Sequence, residues 1–194
     1  MRQEKIDILA LQGIVRTPGL KTRTDVLDGL SDRAEFYKSF GQTISVSGRQ
    51  DGNAVLSTYP IRSDNNFSYE GIRSTKLEAA LQAVIDGGLR DLIVVSTQLP
   101  GSPFEGDLPA CIGQLSSLTA DYPDNPVIIA GNLPASDTFH VPPPFQAVRM
   151  DRPASAGTIW YGGPGLRLLG QKTVSTEIGT IVVARFGIYR KPGR

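Results

Sequence analysis

The sequence has one cysteine, a nearly balanced charge and no long apolar run, and each of these features excludes a class of protein. Cys111 stands alone, so an internal disulfide is impossible. Against 19 Asp and Glu there are 20 Lys and Arg, a formal charge of +1, which gives no global argument for nucleic acid or an acidic partner. No apolar stretch reaches the length of a membrane span. The composition instead fits one globular domain over residues 1–194.

Reactive side chains are also scarce. His140 is the only histidine, and a loop histidine without an obvious partner is expected to be a surface residue rather than an acid or base. Because no histidine, asparagine or aspartate arrangement surrounds Cys111, we expect a buried structural thiol. The basic C-terminus, with Arg190, Lys191 and Arg194, is too small to indicate nucleic-acid binding. The polar first residues encode no signal peptide, which predicts a cytoplasmic protein.

Glycine and proline, by contrast, are frequent, with 21 and 14 copies, as expected for many turns between short strands. The clearest strand is V-I-I-A at residues 127–130, between Pro126 and Gly131. A short continuous apolar run of this kind is typical of a strand buried on both faces. Gly131 permits a sharp turn and places Asn132 on a loop just past the strand, where sheets usually present functional groups. The question is therefore whether Asn132 belongs to an active site or to the remains of one.

The rest of the chain predicts a mixed architecture. Further strands are predicted at residues 6–12, 43–47, 53–57, 157–161, 166–174 and 180–188. The alternating residues 75–85, a D-G-G turn and the apolar run 89–97 together indicate a β-hairpin. Many short strands with one or two helices predict an α+β fold, in which two packed sheets form a sandwich flanked by helices.

Three other segments have less regular patterns. Residues 110–122 carry apolar side chains three positions apart and predict a helix that ends near Pro123. Residues 25–40 are mixed and predict a short helix or an irregular segment. Residues 64–69 are polar and are interpreted as a loop.

Several stretches, in order, resemble motifs of the endonuclease/exonuclease/phosphatase superfamily, which has the DNase I-like fold. D-I-L-A-L-Q-G (7–13) resembles D-I-x-x-L-Q-E, and G-N-A-V-L-S-T-Y-P-I (52–61) resembles G-N-A-x-L-S-R-Y-P-I. V-V-S-T-Q-L-P (94–100) is similar to V-x-N-T-H-L, and P-V-I-I-A-G-N-L-P (126–134) to P-x-I-L-x-G-D-F-N. T-I-W-Y-G-G-P-G-L-R-L (158–168) is similar to I-D-Y-I-F-V-S-P-G-L. The resemblance covers nearly the whole chain and implies the fold together with Mg²⁺-dependent hydrolysis of phosphate esters.

The functional positions of the family nevertheless carry other residue types here. The resemblance places the metal-binding Glu on Gly13, the phosphate-contacting His on Gln98, and the Asp of G-D-x-N on Asn132. The Asp of I-D-Y falls near Thr158, and the terminal S-D-H falls on or beside Glu177. The family's first strand has no counterpart, because this sequence begins one strand too late.

These replacements predict a catalytically degenerate member with a binding or structural role, without a metal or cofactor. Mg²⁺ prefers carboxylate oxygens, whereas Gly13 has no side chain and the amides of Gln98 and Asn132 supply neither charge nor a useful base. A cleft lined by Asn53, Gln98, Asn132 and Thr158 could still bind a polar ligand weakly. The alternative interpretation is that these are relaxed surface positions without a ligand, since amide-rich loops are common in any fold.

Two alternatives stay open. A Mg²⁺-dependent phosphoesterase or nuclease with a displaced site would use Glu177, Asp137 or His140. Independently, an absent first strand leaves unpaired backbone groups that must be covered. Strand exchange or homodimerisation would cover them.

Overall fold

A computed structural model describes residues 5–18, 25–73, 78–101, 104–133, 141–148, 157–176 and 179–189. The first of its three sheets contains β1 (Ile8–Arg16), β2 (Tyr37–Val46) and β3 (Arg49–Ser57). The spatial order is β1-β3-β2, and both pairs are antiparallel. The strand β1 therefore lies at an edge of this sheet.

The second sheet has six strands in the order β4-β5-β6-β7-β9-β8. Their bounds are β4 (Ile61–Ser68), β5 (Ala79–Asp86), β6 (Asp91–Gln98), β7 (Val127–Gly131), β8 (Gln146–Ala147) and β9 (Thr158–Gly162). The β6–β7 pair is parallel, whereas the other pairs are antiparallel. Parallel neighbours need a crossover connection, and here it carries helix α2 (Leu108–Ala120). The third sheet is the antiparallel ribbon of β10 (Leu166–Thr176) and β11 (Gly179–Ile188).

The first two sheets pack face to face. Strand β2 lies over β4 and β5, β3 over β5 and β6, and β1 over β6 and β7. Buried apolar side chains from both sheets meet between them, among them Val55 of β3, Leu81 of β5 and Val94 of β6. This arrangement is the predicted sandwich, and the apolar runs of β5 and β6 form its centre because both of their faces are covered.

A helix covers the outer face of each of these two sheets. Helix α1 (Val26–Ala34) is capped by Asp25, whose carboxylate accepts from the Leu27 and Asp28 amides, as an N-cap residue does. Leu27 packs on Leu56 of β3 in an apolar cluster. On the opposite side of the molecule, Cys111 of α2 packs with the outward side chains of the six-stranded sheet. The predicted α+β sandwich flanked by helices is thus confirmed.

Two interpretations of the sequence need correction. Residues 64–69 are not a loop, because most of them belong to β4, which pairs antiparallel with β5. This strand is polar because it is an edge strand whose residues are mostly exposed, and polar edges resist unwanted pairing. Residues 25–40 contain both helix α1 and the start of β2, so the segment is more regular than its mixed pattern indicated. The helix predicted at residues 110–122 corresponds to α2.

In the described residues, no helix has the length and apolar character needed to cross a membrane.

We expect Leu81→Ala to lower the free energy of unfolding by about 2–5 kcal/mol, because it leaves a cavity between the two sheets. Leu81 is 0% exposed. The matched control is Leu89→Ala, at a site that is 53% exposed, where the change should stay within about 0.5 kcal/mol. Urea unfolding followed by circular dichroism measures both. Equal effects would contradict the packing described here.

Cys111 is buried, as predicted, and burial, aided by the carboxylates of Asp107 and Glu78, raises the pKa of its thiol to about 11. Only the thiolate attacks disulfide reagents, so at pH 8 the folded protein should not react with Ellman's reagent. In guanidinium chloride one thiol per chain should react at once. Rapid reaction of the folded protein would contradict the burial of this side chain.

Candidate functional site

The predicted site positions lie where strands of the six-stranded sheet end, at one end of the sheet rather than along an edge strand. We call this row of strand ends the site edge. Strands β6 and β7 run in the same direction, so Gln98 at the end of β6 and Asn132 just after β7 lie at the same edge. Thr158 begins β9 and stands opposite Gly131 in the antiparallel β7–β9 pair. Ala79, the first residue of β5, stands opposite Gln98. Sequence motifs far apart in the chain are therefore brought to one edge, as expected.

The side chain of Asn132 is held by the backbone of Leu99. Its Oδ1 accepts a hydrogen bond from the Leu99 amide at 2.5 Å, and its Nδ2 donates to the Leu99 carbonyl at 2.7 Å. Both ends of the amide are thus engaged by one residue. Only a side chain that donates and accepts at once can make this pair, and an ionised aspartate only accepts. In this position, asparagine locks the loop after β7 to the end of β6.

Gly13 and Gln98 are brought together across the two sheets. A β-carbon built on Gly13 would lie 3.8 Å from Oε1 of Gln98. Gly13 has a φ of +63° and lies where the register between β1 and β3 shifts, between Leu11 and Ile14. A left-handed φ is costly for residues other than glycine, so a glutamate here would be strained in this backbone conformation. The half-buried amide of Gln98 makes no hydrogen bond to any residue that the structure describes.

Asn53 and Thr158, by contrast, do not line an open cleft. Asn53 is 1% exposed, and its Nδ2 donates to the Ala79 carbonyl at 2.9 Å. Thr158 is 2% exposed, and its Oγ1 is buried without a hydrogen-bond partner among the described residues. Of the four residues expected to line a polar cleft, only Gln98 and Asn132 are therefore in reach of solvent, and the amide of Asn132 is already engaged.

A polar contact between the sheets was missed by the sequence analysis. Gln12 Nε2 donates to Ser96 Oγ at 2.9 Å and to the Ala130 carbonyl at 3.3 Å. The same Ser96 hydroxyl donates to the Leu11 carbonyl at 2.8 Å. These bonds tie the middle of β1 to β6 and β7. The one signal in the sequence was Ser96, the polar residue at which the apolar run of β6 ends.

The donor set at this edge does not fit Mg²⁺. Gly13 offers no ligand, Gln98 and Asn132 offer neutral amides, and Thr158 is buried, whereas hard cations prefer carboxylate oxygens. Glu78 precedes Ala79, and side chains alternate along a strand, so Glu78 is on the face of Ala80, which packs with Cys111 of α2, opposite to the face of Gln98. Among the described residues, no three His, Cys, Asp or Glu side chains are grouped as metal ligands.

The three residues of the displaced-site alternative, Asp137, His140 and Glu177, lie outside the described residues.

Comparison with known proteins identifies the fold. No family model and no curated protein matches the chain. Among solved structures, the human Nocturnin catalytic domain with bound sulfate superposes with a TM-score of 0.73 at 15% identity, over 97% of this chain and 83% of that one. An endonuclease/exonuclease/phosphatase from Bacteroides vulgatus gives 0.71 at 10% identity, over 97% and 87%. Caenorhabditis elegans TDP2 gives 0.61 at 14% identity, over 89% of this chain but 59% of that one.

The chain therefore has the DNase I-like fold of the endonuclease/exonuclease/phosphatase superfamily. The resemblance predicted from the sequence motifs is confirmed at the level of the fold. Because the identities are 15% or lower, the superpositions carry the fold alone and say nothing about activity.

We expect Asn132→Asp to destabilise the protein by about 1–2 kcal/mol at pH 7, because the Leu99 carbonyl loses its donor and faces a carboxylate oxygen instead. The folded state then raises the pKa of the introduced acid. The deficit should therefore shrink as pH falls through this raised pKa and be gone below about 4, where the acid is protonated in both states and can donate again.

Urea unfolding at pH 7 and at low pH measures this deficit. Asn65→Asp makes the same chemical change at an exposed position of β4 that has no such pair of hydrogen bonds to Leu99. It should leave the free energy of unfolding almost unchanged. Equal stability of the two variants at pH 7 would show that the Asn132–Leu99 pair does not hold this edge.

Proposed function

We propose that the protein is a catalytically degenerate relative of the phosphoesterases that share its fold, with a binding or structural role. The fold supports a relationship to nucleases and phosphatases. A single observation supports the absence of hydrolytic activity. The residue at the family's aspartate position, Asn132, uses its amide as a structural clamp on Leu99.

This clamp is incompatible with the chemistry expected at that position. A hydrolytic centre needs an oxygen that can hold a cation or orient an attacking water. The Oδ1 of Asn132 is uncharged and already accepts from the Leu99 amide, and the Nδ2 is a donor that repels a cation. Restoring an aspartate would break one of the two hydrogen bonds, so the present residue is suited to holding the loop rather than to catalysis.

The neighbouring positions support the same proposal. A side chain at position 13 would have to adopt a left-handed conformation, as Gly13 does. The amide of Gln98 can hydrogen-bond a phosphate but cannot transfer a proton or carry charge. Several such losses are not multiplicative, yet the loss of one general base alone costs ~10²–10⁴ in rate. These residues therefore supply neither the base nor the charge that a hydrolytic step needs.

A polar ligand could still contact this edge through Gln98. Its amide is half-buried, lies beside Gly13, and has both a donor and an acceptor available. Such a ligand would be neutral or weakly charged, because the described residues that line this edge are themselves neutral. Binding by a single free amide would be weak.

We expect no hydrolysis of bis(p-nitrophenyl) phosphate or p-nitrophenyl phosphate above background with Mg²⁺ or Mn²⁺, because the described residues at this edge present no carboxylate that could hold either ion. Release of p-nitrophenolate measures the rate, and calorimetric titration with Mg²⁺ and Mn²⁺ measures binding of the metal. The substituted protein Gln98→Ala should give the same background rate as the wild type.

Metal-dependent turnover that survives Gln98→Ala and is lost in Glu177→Gln or Asp137→Asn would overturn this proposal in favour of a displaced active site. Turnover lost in Gln98→Ala would show that the edge itself is active.

A further inference from the structure

The ribbon of β10 and β11 has one face turned away from the six-stranded sheet. On β11, the ring of Phe186 lies 5.2 Å from the ring of Tyr161 of β9, measured between centroids, and Ile188 packs against the core between the sheets. Because side chains alternate along a strand, Arg185 lies on the opposite side of the ribbon from Phe186. We call the side that carries Arg185 the outer face of the ribbon.

The register of the ribbon places three cations on the outer face. Gly187, two residues after Arg185, stands opposite Arg167 of β10, and paired residues of an antiparallel ladder share a face. Gly170 stands opposite Arg185 itself, so Lys172, two residues after Gly170, lies on the same face. Both Arg167 and Lys172 are diagonal neighbours of Arg185, roughly 7–8 Å away, and all three residues are exposed. They form one row of positive charge along the ribbon.

The described residues of the ribbon include no carboxylate side chain. Neither 166–176 nor 179–188 contains Asp or Glu. The other positions of the chain carry 17 Lys and Arg against 19 Asp and Glu, so the sequence outside these two strands is slightly acidic. Positive charge is therefore concentrated on one element, and a partner that recognises this element should be anionic.

Three large apolar side chains of the ribbon are exposed as well. Leu169 is 48% exposed, Ile181 42%, and Tyr189, directly after β11, 47%. Ile181 lies four residues before Arg185 and therefore on the outer face, whereas Leu169 lies in the register shift of the ribbon. Apolar residues that are exposed singly are normal, but several on one element mark an interaction surface.

Two contacts hold Tyr189 on the outer face. A β-carbon built on Gly187 would lie 2.8–3.0 Å from atoms of the Tyr189 side chain, so the ring lies against the backbone of Gly187. The guanidinium of Arg167 lies over the same ring, 5.7 Å from its centroid, within the range of a cation–π contact. A tyrosine ring beside a cation is a combination that suits the boundary between water and lipid.

We propose that the outer face of the ribbon docks on an anionic membrane surface. The three cations would contact acidic lipid headgroups. The three exposed apolar side chains would enter the boundary between headgroups and acyl chains, as those of interfacial amphipathic elements do. The proposal does not depend on whether the site edge is catalytic, because the outer face belongs to a different sheet.

The apolar side chains decide between a membrane and a nucleic acid as the partner. A phosphate backbone would pair with the cations but would leave Leu169 and Ile181 in water. An acidic lipid surface presents charged headgroups with an apolar layer directly beneath them. A lipid surface therefore accounts for both kinds of exposed side chain on the ribbon.

The test is co-sedimentation of the protein with sucrose-loaded vesicles. Vesicles of equal parts phosphatidylserine and phosphatidylcholine should bind the protein saturably, and vesicles of phosphatidylcholine alone should bind it at least about tenfold more weakly. Raising the salt concentration should weaken binding to the mixed vesicles, because the charges are exposed and screened. Absence of binding to the mixed vesicles would overturn the proposal.

Matched variants locate the charge on the ribbon. Arg185→Gln should weaken binding to the mixed vesicles about fivefold, the contribution of one basic residue near an anionic surface. Arg49→Gln removes the same charge at the start of β3, where the side chain is 59% exposed, and should leave the affinity unchanged. Equal losses in the two variants would show that net charge, rather than the outer face, drives binding.

A second pair of variants tests insertion of the apolar side chains. Ile181→Ser should weaken vesicle binding at high salt, whereas Ile44→Ser on β2, at a site that is 39% exposed, should not. Tyr189→Trp places an indole on the outer face, and its emission should shift to shorter wavelength with mixed vesicles. The native Trp160 is 1% exposed, so its emission should stay constant. No shift in Tyr189→Trp would contradict insertion.

A fluorescein-labelled duplex DNA serves as the competing anionic partner. The proposal predicts that this DNA binds more weakly than the mixed vesicles at the same salt concentration and does not displace the protein from them. Tight binding of the DNA that is lost in Arg185→Gln, together with displacement from vesicles, would assign the outer face to nucleic acid and overturn the proposal. Circular dichroism establishes that each variant is folded, as expected for changes at exposed positions.

Discussion

The parallel pairing of β6 with β7 is the constraint on which the rest of this molecule depends. A parallel pair cannot be joined by a hairpin, so α2 must cross the outer face between the two strands, and it buries Cys111 and Leu115 there. The opposite face is covered by β3 and β1. Because the two strands run in the same direction, their ends meet at one edge, and this brings Asn132 to the backbone of Leu99.

Under the proposed function, the polar residues at this edge serve the packing of the strands rather than catalysis. Gly13, Gln98 and Asn132 occupy neighbouring positions at this edge. The polar groups, however, are used to hold strands together: Asn132 clamps a loop, and Gln12 bridges both sheets through Ser96. Neutral hydrogen bonds of this kind contribute to stability without placing charge in the interface.

Most of the fold could be predicted from the sequence because it rests on local patterns. Apolar runs identified the buried strands β6 and β7, and the D-G-G turn identified the β5–β6 hairpin. Strand β4 could not be found in this way, because an edge strand exposed to solvent has no apolar periodicity and exists through its pairing with β5. The hydrogen bonds between Asn132 and the backbone of Leu99 could not be predicted from the sequence either. The motif marked Asn132 as a replaced aspartate, but its partner lies 33 residues away, and no local pattern reports such a contact.

We propose that the edge at Gly13, Gln98 and Asn132 supports strand packing rather than metal-dependent chemistry. The most direct test is a titration of the ¹⁵N-labelled protein with Mn²⁺, followed by paramagnetic broadening of its amide resonances. We predict that Gly13, Gln98 and Asn132 broaden no earlier than exposed amides elsewhere on the surface. Selective broadening of these three amides at low micromolar Mn²⁺ would show that a metal binds at this edge and would contradict the account.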